Sequence, residues 1–241
     1  MKSSSNHLYP ELGTLSIVAT PIGNLEDITL RALRVLKEAD AIYAEDTRVI
    51  SKLLAKYEIT TSVHRLDAAT EILKAKEIVE RLEEREKIAF VSDAGTPGVS
   101  DPGARLVAYV RTHAPSAVIE AIPGPSAITT LLSIAGLSSD TFTFLGFLPH
   151  KKGRQTALRE IAASPHPVIL YESPHRIIKL LTELSSVEAS PQQSIHVTVG
   201  RELTKMFEEV LIGEPLEIAR QLEAKAGVRG EFVLIVQSSM I

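Results

Sequence analysis

Two hydrophobic periods take turns along the first half of this chain, and that alternation constrains the fold more than any other feature. Short apolar, β-rich runs at residues 15–19, 41–44, 88–91 and 117–122 read as strands. Between them apolar residues recur at helical spacing: Ile28, Ala32, Val35, Leu36 and Ala39, then Ile50, Leu53 and Leu54, then Ala75, Ile78, Val79 and Leu82. Thr70 is expected to cap the last of these helices, with Glu71 in its first turn. A further helix is expected from Ala104 to about Arg111. Strand–helix–strand order of this kind predicts a mostly parallel sheet covered by helices.

Pro123-Gly124-Pro125 interrupts the pattern near mid-chain, and a domain boundary is expected there. The second half also mixes the two periods. Strands are expected at 142–145, 168–171 and 231–236, with a strand pair at 196–199 and 208–212. Helices are expected from about Gln155, at 177–184 and at 216–225. The expected architecture is therefore α/β, with two domains at 15–122 and 123–241, a ligand cleft between them and a frayed tail at 1–14.

Composition removes several function classes. The 241 residues contain no cysteine, which excludes disulfides, thiolate nucleophiles and cysteine-ligated metal sites. The seven histidines are scattered without ligand spacing, so no metal is expected. No run approaches the ~20 apolar residues of a membrane span, and the first residues lack a signal-peptide core. A cytoplasmic protein with no membrane partner is expected. The net charge of −4 disfavours a protein that grips nucleic acid by phosphate contacts alone. Nucleotide signatures of the G-x-G-x-x-G and P-loop types are absent, as are G-x-S-x-G and H-E-x-x-H.

In open α/β sheets ligands bind outside the carboxyl ends of strands. Three loops rich in Gly and Pro follow expected strands here: Thr20-Pro21-Ile22-Gly23-Asn24, Ser92-Asp93-Ala94-Gly95-Thr96-Pro97-Gly98 and Pro123-Gly124-Pro125-Ser126-Ala127. Each alone reads equally well as a tight turn; together they point to a ligand cleft. Glu45-Asp46-Thr47-Arg48 follows the second strand and reads either as a helix N-terminus or as site chemistry. Tyr171-Glu172-Ser173-Pro174-His175-Arg176 and Gly200-Arg201-Glu202-Leu203-Thr204-Lys205 read either as salt networks or as site clusters. His150-Lys151-Lys152-Gly153-Arg154 is the densest basic patch. It is expected on a loop, as a solvated tip or as an RNA phosphate contact.

All of these motifs except the basic patch at 150–154, six in order from Val18-Ala19-Thr20-Pro21 through Arg201-Glu202-Leu203-Thr204-Lys205, resemble the ribosomal RNA methyltransferases of the tetrapyrrole (corrin/porphyrin) methylase family. The resemblance runs from about Leu15 to Val236. It implies two α/β domains that clamp S-adenosylmethionine between them. It also implies transfer of a methyl group to the 2′-oxygen of a cytidine in the decoding region of small-subunit (16S) ribosomal RNA, by a homodimer that needs no metal. Carried over by motif, Asp93, Ala94, Gly95, Thr96, Val99, Ser126, Ala127 and Tyr171 are expected at the cofactor. Pro21, Gly23 and Asn24 are expected where the substrate enters, with Lys151, Lys152 and Arg154 on RNA. Related enzymes usually continue past the last strand with a short basic extension, whereas this chain ends at Gln237-Ser238-Ser239-Met240-Ile241. RNA is therefore expected to be held differently or less tightly.

A ribose hydroxyl is a weak nucleophile, so a base within hydrogen-bond reach or a cation near the developing alkoxide is expected. Glu45 and Asp46 are the candidates for the base. Arg48, Arg201 and Lys205 are candidates to orient the ribose or its phosphates. Two other readings stay open: the same fold acting on a tetrapyrrole or another small substrate, and a non-catalytic cofactor- or ribosome-binding relative.

Overall fold

A computed structural model describes residues 12–137, 140–187, 193–225 and 227–240. The chain divides into two compact units at Ser126/Ala127, four residues beyond the boundary expected from sequence. Most of the expected tail lies outside the described residues. Its last members do not fray: Gly13 donates to Leu82 O, and Thr14 opens the first strand.

The first unit is built on β1 (Thr14–Val18), β2 (Ala41–Ala44), β3 (Val63–Arg65), β4 (Lys87–Val91) and β5 (Val118–Ile122). They form one sheet in the order β3-β2-β4-β1-β5, and every pairing is parallel. Helices α1 (Leu30–Glu38), α2 (Thr47–Lys56), α3 (Glu71–Glu83) and α4 (Ala104–His113) connect the strands. Alternate residues of one strand enter two different cores: Ile88 and Phe90 meet the face of α3 and α4, while Ala89 and Val91 meet that of α1 and α2. Burial on both faces explains why these strands read as continuous apolar runs.

Helix starts are set by side chains. Asp46 caps α2 by accepting the Arg48 amide, and Thr29 caps α1 by accepting that of Ala32. Thr70 does not cap α3: its hydroxyl and amide turn back to the Asp67 carboxylate, at 2.8 and 2.9 Å, because Asp67 has already organised that turn. Glu71 does not face solvent as a first-turn acid. It is 3% exposed and accepts the amides of Gly103 and Leu106 at 2.9 and 3.0 Å, so it caps α4 from outside. Gly103 sits at φ 126°, and a β-carbon there would come within 2.7 Å of the Phe90 ring.

The second unit opens with α5 (Ala127–Ile134), a helix not expected from sequence. Strands β6 (Thr143–Phe147), β7 (Val168–Glu172), β8 (Gln193–Arg201), β9 (Glu209–Gly213) and β10 (Phe232–Met240) pair in the order β6-β7-β10-β8-β9. Only β6·β7 is parallel. Helices α6 (Arg154–Ala162), α7 (Ile177–Ser186) and α8 (Pro215–Glu223) cover one face through Leu158, Leu180, Leu181, Ile218 and Leu222. On the other face Leu131 of α5 stands where a β-carbon on Gly200 would reach 2.9 Å, so glycine at 200 lets the helix approach.

Candidate cofactor and methyl-transfer site

In the first unit β1 lies between β4 and β5, so the three Gly/Pro loops emerge side by side at the carboxyl edge. They are bonded to one another. Thr20 and Gly95 exchange both backbone hydrogen bonds, at 2.9 and 3.0 Å, and the Thr20 hydroxyl donates to Ser92 O at 3.2 Å. The Thr96 hydroxyl donates to Pro125 O at 3.3 Å. Gly95 holds φ 78° in this arrangement, where a side chain would be strained. Gly124 approaches the Ala19 methyl so closely that its own β-carbon would sit 3.0 Å away. Of the residues expected at the substrate entrance, Gly23 and Asn24 are exposed. Pro21 is buried and shapes the loop from inside, which corrects its assignment as a substrate contact.

The β2–α2 turn joins this frame through Asp93, whose Oδ1 accepts the Asp46 amide at 2.9 Å. Asp46 itself grips Arg48: Oδ1 accepts Nε at 2.9 Å and Oδ2 accepts Nη2 at 2.5 Å. That arginine contact, with the Arg48 amide, holds the Asp46 carboxyl far below the usual carboxylate range. Held by Arg48, the Asp46 carboxylate is a weaker proton acceptor than a free one. Glu45 moves the other way. Burial raises its pKa, and the carboxylates of Asp93, Asp101, Asp67 and Asp46 raise it further.

Asp101 was missed from sequence. Burial pushes its pKa up to about 6, with Asp93 adding to the rise and a hydrogen bond from Ser92 opposing it. Its signal was available, as a carboxylate inside a Gly/Pro loop after a strand. The neighbouring Ser100, at φ 63°, marks the same segment as conformationally constrained. Of the remaining cofactor expectations, Ala94 is exposed, and Thr96, Val99, Ser126 and Ala127 are half-buried. Ala127 is the first residue of α5 rather than part of a loop. Among the described residues no three of His, Cys, Asp and Glu are grouped so that they could hold a metal ion.

In the second unit Tyr171, the last residue but one of β7, is in contact with Phe144 and Phe147, at centroid distances of 5.1 and 5.7 Å. The salt-network reading of the two charged motifs is present in the geometry. Glu172 is fully buried; its Oε1 lies 2.7 Å from Arg176 Nη2 and accepts the Ser173 amide at 2.7 Å. Arg201 Nε donates to Arg229 O at 2.8 Å, and its Nη1 lies 3.4 Å from Glu209. Lys205 Nζ lies 2.8 Å from both Glu202 and Glu231. Glu202 and Thr204 hold left-handed backbone at φ 51° and 67°, so this turn stores strain that the ion pairs maintain.

Arg154 is a correction. Expected on a solvent-exposed basic loop, it begins α6 with its side chain 5% exposed. Nε donates to Glu183 at 2.7 Å, Nη1 donates to Pro149 O at 3.2 Å, and Glu172 Oε2 lies 4.0 Å away. Two acidic partners inside the unit draw it inward. Lys151 and Lys152 stay exposed.

The chain from residue 14 to 219 matches the sequence profile of the tetrapyrrole (corrin/porphyrin) methylases. The chain belongs to that family. Among curated relatives within the tetrapyrrole methylases, it is 43% identical to a ribosomal RNA small subunit methyltransferase I of Borrelia garinii subsp. bavariensis, covering 93% of this chain and 99% of that protein. The enzyme of the same name from Escherichia coli O157:H7 is 45% identical over 93% of this chain and 78% of its own length. Relatives thus differ in length. Solved structures share the fold. A Thermus thermophilus uroporphyrin-III C-methyltransferase complexed with S-adenosylhomocysteine superposes with TM-score 0.64 at 20% identity, covering 93% of this chain and 97% of its own. A cobalt precorrin-4 methyltransferase reaches 0.67 at 17% identity, covering 92% and 94%.

Two outcomes are expected from this geometry. Replacing Arg154 by Ala leaves the half-buried Glu183 carboxylate without its partner, while Glu172 keeps Arg176, and should cost about 1–3 kcal/mol, read from urea denaturation; a surface arginine would cost under ~1 kcal/mol. Asp101 has a folded pKa above its unfolded value, so its ionisation costs stability as pH rises from about 4 through about 6. Asp101→Asn should therefore raise the thermal midpoint relative to wild type at pH 7.5 and lose that advantage at pH 4.

Proposed function

We propose that this chain is an S-adenosylmethionine-dependent ribosomal RNA methyltransferase that methylates the ribose 2′-oxygen of a cytidine in the decoding region of 16S RNA. The observation that carries the reading is the 43% identity to a ribosomal RNA small subunit methyltransferase I across 99% of that relative. Identity falls to 20% against the uroporphyrin-III enzyme, which favours the ribosomal substrate over a tetrapyrrole. No helix among the described residues is long and apolar enough to cross a membrane. The reading carries with it a cytoplasmic homodimer acting on the small subunit.

The first unit's loops fit the cofactor chemically. S-adenosylmethionine carries a sulfonium and an ammonium, and the carboxylates of Glu45, Asp93 and Asp101 gather at the edge where backbone amides and carbonyls of residues 92–98 are presented. A cation is favoured beside such a cluster. The bound cofactor supplies the reactive methyl; the chain's residues supply alignment and proton handling. In this reading Asp93, Ala94, Gly95, Thr96 and Val99 hold the cofactor, joined by Ser126, Ala127 and Tyr171. Glu45 takes the proton from the 2′-hydroxyl, its raised pKa making it the better base of the two sequence candidates. Asp46 holds Arg48, and the Arg48 guanidinium, 87% exposed, orients the ribose or its phosphate. Gly23 and Asn24 border the incoming nucleotide. Arg201 and Lys205 are positioning residues in this scheme, because carboxylates already engage their charges.

The deciding experiment offers labelled cofactor with unmodified small ribosomal subunits and, in parallel, uroporphyrinogen, and locates the label by mass spectrometry. Label on a cytidine 2′-oxygen is expected; label on uroporphyrinogen alone overturns the reading. Arg48→Ala should lower turnover on subunits about a hundredfold while leaving calorimetric cofactor affinity unchanged. Asp93→Ala should weaken cofactor binding about 10- to 150-fold.

A further inference from the structure

Strand β6 carries a bulge. Phe144 pairs with Ile169 and Gly146 with Leu170, so Leu145 is an extra residue on one side of the ladder. Gly146 takes φ 63° to make the turn. In a regular strand Phe144 and Phe147, three residues apart, would face opposite ways. The bulge puts both on the face of Tyr171, and the three rings form one cluster at the end of an edge strand. Bulges re-aim side chains beside functional sites. The outer ring, Phe147, packs on Tyr171 and remains 53% exposed.

The segment that follows is basic and firmly held. His150, Lys151 and Lys152 are exposed. The backbone beneath them is pinned from inside the unit: Arg176 Nη1 donates to Leu148 O and Arg154 Nη1 to Pro149 O, both at 3.2 Å. Arg154 in turn is paired with the half-buried carboxylate of Glu183, and Arg176 with the buried carboxylate of Glu172. Two motifs that looked separate in the sequence are thus one device. Its acids point inward and its lysines outward. From Thr141 to Arg159 the sequence contains no Asp or Glu, although the chain as a whole carries −4. Lys151 is four residues from Phe147, a reach of at most about 14 Å.

We infer that Phe147, backed by Tyr171 and Phe144, is a stacking platform for one nucleobase of single-stranded RNA, with the flanking phosphates held by Lys151 and Lys152. An exposed ring beside fixed cations is the arrangement by which single strands are bound without sequence readout. The lysines separate this occupant from the cofactor, which has no phosphate. The inference rests on the reading of the protein as an RNA methyltransferase and assigns the surface by which it would hold its substrate.

The test uses the full chain, a short fluorescent oligocytidylate as probe, and unmodified small subunits. Phe147→Ala should weaken oligonucleotide binding about 5- to 150-fold, the equivalent of one lost base stack, and raise KM for subunits. Phe147→Trp should restore both. Lys151→Ala and Lys152→Ala should each make the logarithmic salt dependence of binding shallower by about 0.7. Calorimetric affinity for S-adenosylhomocysteine should stay at the wild-type value in all four variants. Wild-type binding in Phe147→Ala, failure of Trp to restore it, or an unchanged salt slope overturns the inference, as does a fall in S-adenosylhomocysteine affinity, which would give the platform to the cofactor. If wild type methylates subunits, these outcomes sink the platform alone. A wild type that methylates no subunit RNA sinks the parent reading and the platform with it.

Discussion

Thr20 and Gly95 exchange two hydrogen bonds across the edge of a parallel sheet, and the site is organised around that exchange. Loops beyond a sheet have no ladder to pair with, and their backbone groups would otherwise rely on water. Here the loops that follow β1 and β4 pair through one isolated antiparallel bridge, although the strands themselves run parallel. Pro125 joins through Thr96, and the β2–α2 turn joins through Asp93. Glu71 secures the far end of the longest loop by capping α4. A frame of this kind presents amides, carbonyls and carboxylates with little left to reorganise when a ligand arrives, which is where preorganised sites gain their advantage.

Charge divides the two units by task. The first collects the carboxylates of Glu45, Asp93 and Asp101 at the carboxyl edge of its sheet and leaves Glu45 and Asp101 with raised pKa values, an environment that favours a cation. The second buries Glu172 against Arg176, holds the buried Arg154 on Glu183, and exposes lysines on an acid-free stretch. A net charge of −4 therefore conceals a local basic surface, and an acidic overall balance is compatible with an RNA substrate presented by a larger particle.

Elements with a strong hydrophobic period were legible in the sequence. β2 has the bounds expected, and α2, α3, α6 and α7 lie where their apolar stripes put them. The loops after β1, β4 and β5 were legible too, because Gly and Pro after a strand mark them. What escaped depends on partners far along the chain. β3 is three residues long and is recognised only by its pairing with β2. Helix α5 reads Ala-Ile-Thr-Thr-Leu-Leu-Ser-Ile, rich in β-branched residues, and is helical because Leu131 finds the gap above Gly200. Arg154 looked like the third charge of a basic loop until Glu183 and Glu172 came within reach across α7 and β7. The bulge at Leu145 left no pattern at all in the sequence, since a single inserted residue only reverses which side later residues face.

The strand-end loops of the first unit are bonded to one another before any ligand arrives, and in the proposed function that frame receives the cofactor. Hydrogen exchange of the Thr20 and Gly95 amides, followed with and without S-adenosylhomocysteine, tests it most directly. Both amides should be protected in the free protein and more strongly protected once the ligand is added. Exchange at the rate of an unstructured chain, unchanged by the ligand, would contradict the account.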